Sequence, residues 1–352
     1  MRSVYIASTE GSGGKTTLAV GLCLALRARG LNVGYFKPVG AVQAATAGSP
    51  VDEDVRFVAG LLALPDAPAD LCPVMLNEDA LRAVVSGPGA EPMKQIATAY
   101  GRVAEGRDAV VCEGLGEIWQ GRFLRVSGAD VVGRLDLRTL LVAKFAGIRQ
   151  LDDISYVHDV LKARLLGVVF NMVPDTRLEA VEHHYAAFLA DDGIANYGII
   201  PSDRRLSAVA VDGIARALGG EFLCCADQAD RLAENYMIGA MSPEHALGYF
   251  ERSPNKVVVV GGDRDDLILV ALQTGTVALV LTGGYAPGEQ VLATARSAGV
   301  PLISVSGDTL SAAEGLRRLF SRAHVHEPGK ADLIARVVEQ CVAIDRLVAD
   351  LT

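Results

Sequence analysis

Apolar residues recur along this chain at two spacings that take turns. Residues 2–7, RSVYIA, form a short β-branched, alternating run that predicts a buried strand. After a glycine-rich segment, TTLAVGLCLALRARG repeats its apolar positions at helical spacing and stops at Gly30, a residue type that ends helices. NVGYFKPVG reads as a second strand, and DEDVRFVAGLLAL as a helix opened by acids, as the helix dipole favours. Residues 73–90, with Pro73, Pro88 and two glycines, read as irregular. A helix over 91–105 and a strand over 108–114, DAVVCEG, follow. Strand-like runs return at 138–144, 165–171 and 194–200, separated by helical stretches over 148–163 and 177–192. Strands that are continuously apolar and alternate with helices predict an α/β fold, with a mostly parallel sheet covered on both faces.

A helix over about 207–218 ends in Gly219–Gly220, and a second β-α-β-α-β series then runs from residue 256 to 307. Helical runs over 309–322 and 330–350 close the sequence. The expected boundary lies near 219–227, giving a first domain over 1–220 and a smaller α/β domain over 221–352. No short-period repeat or low-complexity segment interrupts either one.

Composition agrees with two packed domains: 352 residues, half of them hydrophobic. The formal charge of −9, from 42 acids against 33 bases, comes without any basic stripe, so a nucleic-acid partner is not expected. The six cysteines, Cys23, Cys72, Cys112, Cys224, Cys225 and Cys341, form no C-x-x-C pair and lie mostly in apolar runs, which fits a reducing compartment without disulfides. His183–His184 and His324/His326 have no cysteine or carboxylate at metal-site spacing and read as surface residues. The chain enters a strand without a signal-peptide pattern, and no apolar run approaches the ~18 residues that span a bilayer. A cytoplasmic protein with no membrane partner is expected.

Candidate chemistry gathers in STEGSGGKTT, residues 8–17. Its end, Gly14-Lys15-Thr16, fills the last three places of the phosphate-loop pattern G-x-x-x-x-G-K-[ST], but Thr9 stands where the first glycine belongs. A loop from a strand to a helix aims several backbone N–H groups at one point, and the helix N-terminus favours an anion there. Gly11, Gly13 and Gly14 supply the permissive backbone. Lys15 would reach the outer phosphates and Thr16 would present its hydroxyl to Mg²⁺; without a ligand, the same stretch is a glycine-rich turn capped by a helix. Glu113, ending an apolar strand before Gly114 and Gly116, is placed to hold a metal directly or through water, or else is a surface acid. Asp52 and Asp54 are helix-start acids or a second carboxylate for the metal. Lys37, ending the second strand, points into the same crevice as Lys15 or into solvent; two converging lysines suit a group that gains negative charge in reaction.

Taken together these motifs resemble dethiobiotin synthetase and the dethiobiotin-synthetase-like domain at the N-terminus of many phosphate acetyltransferases. That family's loop, G-T-[DE]-x-x-x-G-K-T, has threonine at the puzzling place. Thr9, Glu10, Gly14, Lys15 and Thr16 fit it, and Ser8 replaces its glycine. FKPVG matches the substrate-side K-P-V segment through Lys37, Asp54 a metal-binding aspartate, and CEGLG the E-G-x-G segment through Glu113. VVFNMV matches the segment whose asparagine reads the nucleotide base, here Asn171, and YGIIPSDRRLS the G-x-I-P segment around Pro201. Gly40 and Ala41 follow K-P-V where family enzymes carry small polar residues. The resemblance implies a P-loop NTPase-type sheet and an ATP site built from Thr9, Glu10, Gly11, Ser12, Gly13, Gly14, Lys15, Thr16 and Thr17 with Asn171 and Pro201. It further implies Mg²⁺ on Thr16, Asp54 and Glu113, catalysis by Lys15 and Lys37, and a homodimer. The second domain resembles the DRTGG domain through Asp263–Arg264 and Thr282–Gly283–Gly284, which implies a regulatory or assembly module. Its T-G-G turn either presents amides to an anion or is a plain tight turn. In phosphate acetyltransferases a large catalytic domain follows such a module; this sequence ends at Thr352, so that activity is not expected to carry over.

Three functions follow as expectations: a Mg·ATP-binding slow ATPase or metabolic regulator; an ATP-dependent ligase that activates a small organic acid, carboxylate or carbamate, as an acyl phosphate; and a non-enzymatic module that recruits a partner.

Overall fold

A computed structural model describes residues 2–11, 13–41, 51–85, 91–320, 325–326 and 329–351. Ser12 of the glycine-rich loop, residues 86–90 of the segment read as irregular, and His324 lie outside the described residues. The chain divides into two compact units, Met1–Ser202 together with Gly329–Thr352, and Asp203–Pro328.

In the first unit the strands are β1 (Arg2–Ser8), β2 (Val33–Phe36), β3 (Val39–Ala41), β4 (Val74–Leu76), β5 (Ala109–Glu113), β6 (Arg138–Lys144), β7 (Leu165–Val173) and β8 (Ala195–Pro201). Six of them form one sheet in the order β2-β5-β1-β6-β7-β8, every neighbouring pair parallel. The strands buried in its middle are the ones with unbroken apolar runs: VVC of β5 and LLVA of β6 are wholly buried. Because β1 lies inside the sheet, between β5 and β6, the loop that leaves its C-terminal end has a strand end on either side. Open parallel sheets place ligand sites at such a crevice.

NVGYFKPVG is two strands rather than one. Lys37 and Pro38 break it: the Lys37 amide donates to Leu71 O at 2.8 Å, and β3 pairs with β4 in a separate two-stranded sheet. The segment read as irregular contains β4 and a helix, Glu78–Val85; eight residues opened by two acids gave too short a periodic signal beside the prolines. A helix over Gly128–Leu135, opened by a Ser127/Asp130 capping box, was also not expected. The stretch over 177–192 is helical but carries a π-helical turn at Val181–Tyr185.

The last helical run, expected to close the second domain, belongs to the first unit. It forms two helices, Lys330–Cys341 and Ile344–Asp350. The first of them packs on the helix that follows the glycine-rich loop, Lys15–Ala28. Arg29 forks onto Glu339 at 2.8 and 3.0 Å and reaches Asp345 at 2.9 Å, and the Ala343 amide donates to Tyr197 O at 2.8 Å. Helical periodicity states which face is buried but not which sheet covers it, so the sequence pattern left this return invisible.

The second unit holds β9 (Val209–Ala210), β10 (Glu221–Cys224), β11 (Leu232–Ala233), β12 (Asn235–Ile238), β13 (Lys256–Gly261), β14 (Thr276–Thr282) and β15 (Leu302–Ser304). Its main sheet runs β10-β15-β14-β13-β12, with β10 antiparallel and the rest parallel. Alternate residues of β13 serve two cores. Val258 and Val260 join Phe250, Leu267 and Leu281 on one face, and Val257 and Val259 join Ile214, Val280 and Leu316 on the other. The amides of the T-G-G turn bond to the loop after β15: Gly283 N donates to Gly307 O at 2.9 Å and Gly284 N to Val305 O at 3.0 Å. Both glycines have positive φ, 87° and 69°, and both amides are committed to the neighbouring loop, the arrangement of a tight turn rather than an anion cradle.

Among the described residues no helix is long and apolar enough to cross a membrane. A Cβ on Gly21 would overlap the side chain of Val338, so the contact between helices Lys15–Ala28 and Lys330–Cys341 depends on a glycine there. Gly21→Val is expected to destabilise the protein by about 1–3 kcal/mol through overpacking, read as a lowered midpoint in urea denaturation.

Candidate nucleotide site

The glycine-rich loop leaves β1 at Ser8 and enters the helix at Lys15. Thr9 is the first residue after the strand, still tied to β6 through its amide, which donates to Val142 O at 3.3 Å. The tight part of the loop is later. A Cβ on Gly13 would lie 3.1 Å from Ser8 Cβ, and Gly14 has φ 94° with its open side filled by the Asn171 amide. Gly14 is therefore the place where a side chain cannot fit, and Gly13 is tight.

Lys15 is 5% exposed, and its ammonium turns into the loop. It donates to Ser8 Oγ at 2.7 Å, Gly11 O at 3.3 Å and Glu10 O at 3.5 Å. Burial lowers its pKa to about 8, against the favourable charge of Glu113 and with the help of nearby Lys37. Ser8 Oγ in turn donates to Glu10 O at 2.5 Å. The interior of the loop is thus a ring of oxygens around one cation.

In the first turn of the helix, Thr16 Oγ1 donates to Glu113 Oε1 at 2.7 Å. Glu113 ends β5, the strand beside β1, and is 1% exposed. Its second oxygen accepts a hydrogen bond from the hydroxyl of Tyr35 at 2.8 Å. Burial first, then the charge of Asp54, pushes the Glu113 pKa up to about 7, against the pull of Lys37, Thr16 and Tyr35.

Lys37 is buried as well, and it is not free. It donates to Asp52 Oδ1 at 2.8 Å and to Asp54 Oδ2. Burial opposes its charge, but Glu113, Asp54 and Asp52 together outweigh that and raise its pKa. Asp52 is both a helix cap and a counter-ion: it accepts from the amides of Asp54 at 3.0 Å, Val55 at 3.4 Å and Ala41 at 3.2 Å.

The structure therefore forms two hydrogen-bonded sets, Thr16 with Glu113 and Lys37 with Asp52 and Asp54, which together with the buried Lys15 lie close enough for their charges to act on one another; Thr16 and Asp54 are partly exposed. Thr17 is buried on the helix face turned to the protein, Gly11 is exposed, and Glu10 is half-buried with its carboxylate 3.8 Å from Lys144. Asn171 lies against the loop: its Nδ2 donates to Gly13 O at 2.8 Å and its Oδ1 accepts from the Met172 amide at 2.9 Å. Pro201 ends β8 at the far side of the sheet, with β6 and β7 between it and β1, and is not brought to the loop. Sequence reasoning missed Tyr35, whose place in an apolar strand reads as core, and it did not foresee that Asp52 would bind Lys37.

The donors fit a magnesium–phosphate group in kind: a buried ammonium, a glycine cradle, and a hydroxyl paired with a carboxylate. Among the described residues no group of three or more His, Cys, Asp or Glu side chains is arranged to hold a metal ion. A metal here would rest on Thr16, Glu113 and Asp54.

A family model described as AAA domain matches residues 2–210, more than half of the chain, and the DRTGG domain model matches residues 213–319. Phosphate acetyltransferase from Pseudomonas aeruginosa is 26% identical over 96% of this chain and 50% of its own length. ATP-dependent dethiobiotin synthetase BioD from Caldicellulosiruptor saccharolyticus is 41% identical over 58 residues, 16% of this chain and 24% of its own. Among solved structures, the MinC:MinD cell division protein complex of Aquifex aeolicus aligns over 58% of this chain and 84% of its own, with 15% identity and a TM-score of 0.38. The chain spans about half the length of the phosphate acetyltransferases it matches. The P-loop domain followed by a DRTGG domain is an architecture those relatives share.

The raised pKa of Glu113 has a consequence for stability in metal-free solution. Between the usual carboxyl pKa near 4.5 and the folded value of about 7, the folded protein holds a proton that the unfolded chain has lost. The contribution is therefore fully present below about 4.5 and falls away as pH rises through 7, by an amount on the order of 3 kcal/mol. Glu113→Gln is expected to flatten that part of the stability–pH profile, measured by urea denaturation from pH 4.5 to 8.

Proposed function

The chain belongs to the AAA domain family that its residues 2–210 match, and from that premise we propose that its first unit binds Mg·ATP and that the protein is a slow ATPase or ATP-dependent metabolic regulator. One observation carries this reading: beneath a glycine loop at the end of an interior strand, a buried lysine and a threonine–glutamate hydrogen bond stand side by side. Lys15 exchanges its loop oxygens for the outer phosphates, which are better acceptors for an ammonium. Thr16, Asp54 and Glu113 would hold Mg²⁺, which would supply positive charge to offset that of the phosphates. Gly13 and Gly14 let the backbone amides approach. Asn171 keeps the loop in shape and would have to exchange a present partner to read a base.

Lys37 decides between hydrolysis and ligation. A ligase needs an organic acid seated at this lysine, whereas Asp52 already pairs with its ammonium and would stay there if Asp54 turned to a metal. This supports a site that handles phosphate without a second acidic substrate. The second unit, as a DRTGG domain, is read as the regulatory or assembly module, and the protein as a cytoplasmic homodimer. The activity of the phosphate acetyltransferases is not transferred to a chain that spans half their length.

Titration of the purified chain with Mg·ATP is expected to show saturable binding that Lys15→Ala weakens at least tenfold. Absence of binding in the wild type would leave a partner-recruiting module as the better description. Turnover is expected to be slow and indifferent to small carboxylates; strong stimulation by any of them would favour the ligase.

A further inference from the structure

We propose that Tyr35 is a positioning residue for the metal centre, fixing the carboxylate of Glu113 in the orientation the metal requires. The inference rests on the reading of this site as a Mg·ATP site and adds to it a residue that no motif marks. Tyr35 lies on β2, beside β5 in the sheet, with Tyr35 in register with Val111, two residues before Glu113. It is fully buried, and its phenol donates to Glu113 Oε2 at 2.8 Å while Thr16 donates to Oε1 at 2.7 Å.

A carboxylate at a strand end can rotate about its last two bonds, and each conformation presents a different lone pair. Two hydroxyl donors, one on each oxygen and from different elements, leave Glu113 a single orientation. The two donors differ in what happens on loading. Thr16 is itself a proposed metal ligand, so its hydroxyl is drawn towards the cation, and its hold on Glu113 changes. Tyr35 sits on the opposite oxygen, enclosed by the sheet, and stays. It keeps the carboxylate aimed when Thr16 is otherwise engaged. Partners of this kind, which touch a ligand rather than the metal, commonly carry 10- to 100-fold in metal affinity. The neighbouring Phe36 does not share the role: its ring packs edge-on against Tyr100 at 5.6 Å.

The test is calorimetric titration of ATP into wild type and Tyr35→Phe across a series of Mg²⁺ concentrations and in EDTA. The Mg²⁺ concentration giving half the maximal gain in ATP affinity is expected to rise about tenfold in Tyr35→Phe, while ATP affinity in EDTA stays unchanged. A merely structural tyrosine would leave the Mg²⁺ dependence where it is, and that result overturns the inference. In a Glu113→Gln background, Tyr35→Phe is expected to have no further effect on Mg²⁺ dependence; an undiminished effect there would show that Tyr35 acts elsewhere and would also overturn it. Wild-type protein that binds ATP equally with and without Mg²⁺ would overturn the metal site itself, and the role of Tyr35 with it.

Discussion

One hydrogen bond ties the two halves of the site together. Thr16 and Glu113 are 97 residues apart in the chain and 2.7 Å apart in space, joining the first turn of the loop helix to the end of the neighbouring strand. That contact requires β1 and β5 to be adjacent and parallel, which they are, in the register Ile6 to Glu113. It requires the helix to begin at Lys15, which the left-handed Gly14 permits. The long apolar strands put the two strand ends side by side; the polar contact then decides what the crevice between them can hold.

Around that bond the protein buries more charge than a core would choose. Lys15, Lys37, Asp52 and Glu113 are all nearly inaccessible, and Asp54 lies against them. Burying ions costs several kcal/mol each unless they are paired and hydrogen-bonded, and replacing them with apolar residues would be at least as stable. The arrangement is therefore poorly explained as a device for stability and well explained as a binding site. The internal pairing also shows how the site copes with its own charge. Lys37 is neutralised by two aspartates, Lys15 by dipoles of the loop, and Glu113 by sharing its charge with hydroxyls and by its raised pKa.

Much of this was legible in the residue pattern, for physical reasons that differ from element to element. β1, β5 and β6 are buried on both faces and so read as apolar runs whose ends could be placed within a residue or two. The loop was legible because phosphate binding constrains both spacing and residue type. Thr9 looked anomalous because the usual pattern asks for a glycine there, whereas in this loop the left-handed glycine is Gly14. Other features left no one-dimensional trace. Tyr35 is one aromatic among apolar neighbours, and only the three-dimensional approach of its hydroxyl to Glu113 reveals it. Asp52 reads as a helix cap, which it is, while its second task for Lys37 depends on how the chain bends at Pro38. The return of helices Lys330–Cys341 and Ile344–Asp350 to the first unit was not legible because packing partners, unlike packing faces, are not written in periodicity.

The account is tested most directly by a crystal structure of the protein with Mn²⁺ and a non-hydrolysable ATP analogue, with the metal located by its anomalous signal. One metal peak is expected beside Thr16 Oγ1, on the side of Asp54 and Glu113, with the triphosphate wrapped by residues 8–17 and the Lys15 ammonium on its outer phosphates. A nucleotide bound elsewhere, or a loop that keeps Lys15 on Ser8 and Gly11 with Glu113 turned from the metal, would contradict it.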